Sequence, residues 1–190
     1  MTTTKTPHSA SGTALINVDR VDKRHTLLLM RHAKSSYPDQ VADHDRPLAP
    51  RGIRQAGLAG DWLRANMPPI DAVLCSTATR ARQTLANTGI PKGGATVRYS
   101  ERLYDSTPGT MIDEINRVAD TVSTLLVVGH EPAMSALAIG LAGADGTDAE
   151  AVERISQKFP TSAIAVLSVA GAWKSLELNG AALIGLQVPR

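Results

Sequence analysis

The chain has 190 residues, 43% of them hydrophobic and 20% charged, with a formal net charge of +2. That length supports one domain with a sizeable core, and so small a charge, with no interleaving of basic and aromatic residues, argues against nucleic acid as a partner. No apolar run approaches the roughly 20 residues a membrane helix needs; one cysteine, Cys75, precludes an intrachain disulfide and fits a reducing, cytoplasmic setting.

Residues 1–24 are rich in Thr, Ser and charge and lack the continuous apolar stretch of a secretory signal. They read as a flexible amino-terminal extension, leaving 25–190 as the folded domain. With only 3% aromatic residues, the core must be built from Ala, Leu, Val and Ile.

Thr26 to Met30 form a short apolar run that predicts a buried strand. It ends abruptly in Arg31 and His32. Lys34 to Pro50 shows no helical or strand period and predicts a long loop, with Arg46 before Pro47 and His44 reading as solvated. Pro50 opens a predicted helix to about Met67, with Ile53, Ala56, Gly57, Gly60 and Leu63 as its inner stripe, stopped by Pro68 and Pro69.

Asp71 to Cys75 predicts a second strand, and Ser76 or Thr77 caps a helix running to Gly89. Thr96 to Tyr99 predicts a third strand. Pro108 opens another helix, with Met111, Ile115, Val118 and Ala119 as its stripe. Thr124 to Val128 is a clear strand ending in Gly129 and His130, and Pro132 opens the next helix. A short helix is expected over 149–157. Late strands are expected over Ser162–Val169 and Trp173–Leu178, forming a hairpin around Ala170 and Gly171.

This alternation of strands and helices predicts an α/β fold: a three-layer sandwich with a largely parallel central sheet and helices on both faces. In such sheets ligands bind beyond the carboxyl ends of the strands. Two strands deliver polar residues there, one ending at His32 and one at His130. A lone histidine at a strand end reads as a structural residue, but Arg31 beside His32 sets two potential cations together, and these repel unless an anion is shared. Arg80, early in its helix with Gln83 and Thr84 on the same face, opposes the helix dipole unless an anion offsets it. Arg46 can supply a third guanidinium. Arginine forks match phosphoryl oxygens, and neutral imidazole is a competent nucleophile toward phosphorus, so the pattern points to a phosphate pocket with an imidazole at its base.

Taken together, Arg31-His32-Ala33, the Ser76-x-x-x-Arg80-Ala81-x-Gln83-Thr84 stretch and Gly129-His130 resemble, in order and spacing, the signature of the histidine phosphatase (phosphoglycerate mutase-like) superfamily. The resemblance spans about residues 26–178. Within it the chain is most similar to the SixA-type phosphohistidine phosphatases, on its short length, the loop ending Arg46-Pro47-Leu48 with Gly52, and the strand entry Phe159-Pro160-Thr161-Ser162. The resemblance implies that His32 becomes phosphorylated, that Arg31, Arg80 and His130 hold the phosphoryl oxygens, and that Arg46 and Ser76 contribute to substrate binding. It implies no metal and no cofactor.

The chain departs from larger relatives in carrying Ala33-Lys34 where Gly-Glu is frequent, and in lacking an obvious acidic proton donor. By resemblance Asp105 is the candidate; its other reading is a turn residue. A missing donor favours an imidazole leaving group over an alkoxide.

The expected partner is a phosphorylated protein or a small phosphorylated molecule, not nucleic acid or a membrane. The expected activity is a metal-independent phosphatase acting on protein phosphohistidine. The alternatives are a small-molecule phosphomonoesterase on the same scaffold and a phosphoryl-binding module without turnover. A cysteine-phosphatase reading of Cys75 fails because the required arginine six positions on is Ala81.

Overall fold

The computed structural model describes residues 24–189; the extension expected over 1–24 lies outside the described residues except for Arg24, which opens the first strand. Six strands form one sheet: β1 (Arg24–Arg31), β2 (Ala72–Ser76), β3 (Thr96–Ser100), β4 (Thr124–Gly129), β5 (Ile164–Ala170) and β6 (Ala181–Gln187). Their spatial order is β3-β2-β4-β1-β5-β6. The first four in that order run parallel, while β5 is antiparallel to both β1 and β6. The sheet is therefore largely parallel, with an antiparallel pair at one edge.

The apolar runs of β1 and β4 follow from burial on both faces, since strands covered on both sides need no polar alternation. Leu27 and Leu29 of β1 and Leu125 and Val127 of β4 pack with α3 (Pro108–Ile115), α4 (Ala133–Leu141) and α5 (Ala149–Gln157). Leu28, Met30, Leu126 and Val128 face the other way, against α1 (Pro50–Asn66) and α2 (Thr79–Thr88). These are the three layers expected. Cys75 is buried in the second cluster, and burial pushes its thiol up to about 12, which removes it as a nucleophile.

The buried face of α1 is built for close approach. Gly52, Ala56, Ala59, Gly60 and Leu63 are buried. Ile53, expected on this face, is instead 48% exposed. The face is turned because glycines sit at the tightest contacts: a Cβ on Gly52 would lie 2.0 Å from the Lys34 carbonyl oxygen, and one on Gly60 2.0 Å from that of Thr88.

Three further expectations are corrected. The segment from Trp173 is not a strand: Trp173–Ser175 is a short 3-10 turn, and Trp173 is fully buried, its indole N–H donating to the Val122 carbonyl at 2.7 Å. The partner of β5 is β6, after Gly180. The polar–apolar alternation of Ser175, Leu176, Glu177 and Leu178 imitates a strand period without forming one. The third helix stops at Ile115, so Val118 lies beyond it, partly buried, and Ala119 is exposed. Neither Ser76 nor Thr77 occupies the cap position of α2; Ala78 does, with no side-chain cap, although Ser76 Oγ accepts from the Ala78 N–H at 3.3 Å.

Topology places the crevice. After β1 the chain departs to α1 on one face, and after the adjacent β4 it departs to α4 on the other. Adjacent parallel strands whose connections leave on opposite faces open a crevice between their carboxyl ends. Among the described residues no helix is long and apolar enough to cross a membrane.

The contact at Gly60 carries a prediction. Gly60→Ala forces α1 away from the Thr88 backbone and should destabilise the fold by about 1–3 kcal/mol, the usual cost of overpacking. Thermal unfolding of this variant against wild type checks it; Gly57→Ala, where an added Cβ meets nothing within 4 Å, should not lower the Tm.

Candidate active site

Arg31 is the last residue of β1 and pairs in register with Gly129 of β4; the backbone N–H of His32 then donates to the Gly129 carbonyl at 3.0 Å. His32 and His130 therefore leave adjacent strand ends together, with ring centroids 5.0 Å apart.

The His32 ring is fixed in one tautomer. Its Nδ1 lies 2.7 Å from the Ala33 carbonyl oxygen, which can only accept. Nδ1 thus carries the proton, and Nε2 presents a lone pair to the crevice. The Ala33 N–H in turn donates to Thr84 Oγ1 at 2.9 Å, and the Thr84 hydroxyl donates to the Arg80 carbonyl at 2.6 Å. The stretch after His32 is thereby tied to the first turn of α2. Burial chiefly, with the charges of Arg80, Arg31 and Arg46 and against the Ala33 hydrogen bond, lowers the pKa of His32 to about 4. The ring is neutral at pH 7.

His130 is 7% exposed. Its Nε2 lies 2.8 Å from Ser76 Oγ, while its Nδ1 is buried with no partner. Burial lowers its pKa to about 3, assisted by His32 and Arg80. Ser76, fully buried at the end of β2, stands behind this ring. Arg31 donates from Nη1 to the Phe159 carbonyl at 2.7 Å, and its Nε has no partner.

The arginines around this pair already hold an anion, the Asp43 carboxylate. It accepts from Arg46 Nη1 at 2.6 Å, from Arg80 Nη2 at 3.0 Å and from the Tyr104 hydroxyl at 2.7 Å. Arg80 Nη1 also donates to the Asp43 carbonyl at 2.5 Å. The Tyr104 hydroxyl, with the two guanidiniums, holds the Asp43 carboxyl well below the usual range. Arg46 is fully engaged, with Nε on the Ser36 carbonyl, Nη2 on Ser35 Oγ, and its guanidinium 3.4 Å from the Tyr37 ring centroid.

A cavity of about 350 Å³ opens above the histidines, lined by Asp43, Arg80, Tyr104, Asp105, His130 and Glu131. The expected residues thus fall into two sets. Arg31, His32, Arg80, His130 and Ser76 converge at the crevice floor, while Arg46 lies under the loop and Asp105 on the cavity wall. Asp105 is exposed and adopts φ +50°. His44, expected in solvent, instead donates or accepts at Thr77 Oγ1 over 3.0 Å and meets the Tyr104 ring edge-on.

Sequence reasoning missed Asp43, Tyr104 and Glu131. Asp43 stood in view three residues before Arg46, and a tyrosine in a chain so poor in aromatics was a usable signal. A separate groove of about 310 Å³, between the end of α1 and the Gly89–Gly93 turn, offers mainly apolar side chains and Arg64, with no nucleophile. Among the described residues no group of three or more His, Cys, Asp or Glu side chains could hold a metal ion.

The sequence profile of the histidine phosphatase superfamily (branch 1) matches residues 27–117. A solved structure from Nakamurella multipartitia, assigned by name to the SixA phosphohistidine phosphatases, is 43% identical, with a TM-score of 0.79 over 87% of this chain and 96% of that one. A second structure so assigned, from Agrobacterium tumefaciens, is 27% identical, with a TM-score of 0.72 over 87% and 98%. The uncharacterized protein Rv1276c of Mycobacterium tuberculosis is 71% identical over 161 residues, covering 85% of this chain and all of that protein.

The chain belongs to the histidine phosphatase superfamily and is a phosphatase. Within the superfamily it is of the SixA-like type.

Two predictions follow from the geometry. Ser76→Ala leaves a buried His130 nitrogen without its partner, at a cost to folding stability of about 1–3 kcal/mol; thermal unfolding against wild type checks it. The pH dependence has a definite sign. Both histidines have folded pKa values below the ordinary 6.5, so from pH 6.5 down toward 4 and 3 the unfolded chain binds more protons. Their contribution to stability is complete above 6.5 and is lost as the pH falls through that window. Melting temperatures at pH 7 and pH 5 should show the drop, reduced in His32→Ala.

Proposed function

We propose that this phosphatase works through a covalent intermediate on His32 and acts on phosphohistidine carried by a protein. The observation that carries the reading is the tautomer lock: Nδ1 of His32 bound to the Ala33 carbonyl and a neutral Nε2 beside Arg31, Arg80 and His130. In the first step a bond forms between Nε2 and phosphorus as the bond from phosphorus to the substrate nitrogen breaks; the departing imidazole keeps the electron pair and takes a proton from water. In the second step a water oxygen bonds to phosphorus, the bond to Nε2 breaks, and the water's proton goes to solvent. Arg31, Arg80 and the buried His130 carry the charge on the equatorial oxygens. The arginine cluster's tolerance of Asp43 supports an anion subsite there, with Arg46 holding Asp43 and the loop in place.

The substrate class rests on the leaving group. The cavity wall offers the exposed Asp105 and the half-buried Glu131, whose two oxygens accept from Ser135, rather than a fully buried carboxylic acid, and a site without a dedicated donor suits imidazole better than an alkoxide. SixA-named relatives support the same reading. On this reading the protein works in the cytoplasm, without a metal or other cofactor.

The test is turnover of a phosphohistidine peptide and of para-nitrophenyl phosphate, with EDTA present, by wild type and His32→Ala. The expected result is peptide turnover that the variant loses by about a thousandfold or more, with acid quench trapping phosphate on the wild-type chain only. Preference for the aryl phosphate shifts the function to a small-molecule phosphomonoesterase, and phosphate binding without turnover to a binding module. Near-normal turnover by His32→Ala rules out the covalent step.

A further inference from the structure

The cavity above the histidines has walls of opposite sign. Its lining includes Arg80 and the buried His130, whose Nδ1 is unpartnered. Its outer wall carries Asp105 and Glu131, with Asp43 between. Asp43 is neutralised by Arg46, Arg80 and the Tyr104 hydroxyl. Asp105 and Glu131 are left to face whatever is attached to the phosphoryl group. The nearby cations are otherwise engaged: Arg46 lies over the Tyr37 ring, and Lys34 reaches toward that same ring from outside.

Glu131 is held rigidly. Its Oε1 accepts from the Ser135 N–H at 3.1 Å and its Oε2 from the Ser135 hydroxyl at 2.7 Å. Both oxygens accept from Ser135, so the carboxyl group is held in one orientation on the cavity wall. It also acts through space on Arg31, against the burial that makes that guanidinium less basic.

We propose that Glu131 and Asp105 form a carboxylate collar that selects the substrate by the charge beside its phosphoryl group, accepting basic or neutral surroundings and rejecting a second anion. The inference rests on the reading that the phosphoryl group lies over His32, and it narrows the protein substrate to a segment with lysine or arginine near the phosphorylated residue. Small substrates with a second phosphate or a carboxylate are disfavoured on the same grounds. The arithmetic is modest: two carboxylates several ångströms from a unit charge in a wet cleft discriminate by about tenfold, and salt at 0.5 M shortens the screening length and erodes the effect.

The test is binding rather than turnover, so that it stands apart from the covalent mechanism. Two benzylphosphonates, one bearing a para-trimethylammonium group and one a para-carboxylate, are titrated calorimetrically into wild type, Glu131→Gln and Asp105→Asn. The expected wild-type result is about tenfold tighter binding of the cationic compound, compressed at high salt. Each variant should shift the ratio of the two dissociation constants toward unity by about threefold, and Asp105→Asn, on an exposed loop, keeps the test intact if Glu131→Gln folds poorly. A wild-type ratio near one, a ratio both variants leave unchanged, or failure to bind either compound overturns the collar. Near-normal turnover by His32→Ala with the ratio intact would sink the covalent mechanism alone.

Discussion

The site depends on one backbone register. Residues 26–31 of β1 run parallel to 124–129 of β4, with Arg31 opposite Gly129, and the ladder closes with the His32 N–H on the Gly129 carbonyl. A shift of one residue would turn every side chain on β1 to the opposite face. Leu27 and Leu29 would exchange clusters with Leu28 and Met30, and Arg31 would rotate away from the crevice. Because both faces of these strands are buried, the core itself enforces the register. Catalytic placement and hydrophobic packing are here one constraint. Gly129 takes part as well: a Cβ there would approach Met134 Sδ to 2.8 Å, so a side chain would force Met134 of α4 to shift from the strand end that bears His130.

Three guanidiniums and two imidazoles converge in a volume that a positively charged cluster would not tolerate on its own. Two devices make it stable. Burial keeps both imidazoles neutral, so only the arginines contribute positive charge. The Asp43 carboxylate then bridges Arg46 and Arg80, fixing Arg80 before any ligand arrives. Fixing a guanidinium in advance removes part of the ordering cost of binding. The same solution recurs away from the site: Glu114, 1% exposed, is surrounded by Arg98, Arg102 and Arg117. A buried charge persists where its hydrogen-bonding capacity is filled.

What was legible in the sequence was what local pattern governs. The apolar runs of β1 and β4, the proline-opened α1 and α3, and α5 over 149–157 are visible because periodicity and helix-start chemistry are local signals. His32, Arg31, Arg80 and His130 were visible because each ends a strand or opens a helix, where a charged residue contradicts the pattern before it. Asp43 was not, because its role exists only after a loop folds back over α2 to meet Arg80, 37 residues away in the chain. Tyr104 binds Asp43 across 61 residues for the same reason. The strand β6 was missed because Gly180, Gly185 and a short apolar run mimic a tail, whereas Trp173 to Leu178 alternates like a strand and instead sends Trp173 into the core.

On the proposed covalent mechanism, the burial that lowers the basicity of His32 also sets its chemistry. A less basic imidazole is a somewhat weaker nucleophile, but all of it is in the reactive form at pH 7, whereas a solvent-exposed histidine would be partly protonated. Lower basicity also makes the ring a better leaving group when water attacks the phosphorylated form, so the environment that restrains the first step assists the second. Beside burial, Arg80 and Arg31 depress this pKa, and they are the arginines proposed to neutralise the phosphoryl oxygens, so part of the cost to nucleophilicity comes from the groups that would stabilise the charge developing on phosphorus. A phosphoryl group already on an imidazole has a leaving group similar to the nucleophile. On that proposed substrate one imidazole replaces another, and position and charge are what the site would have to supply.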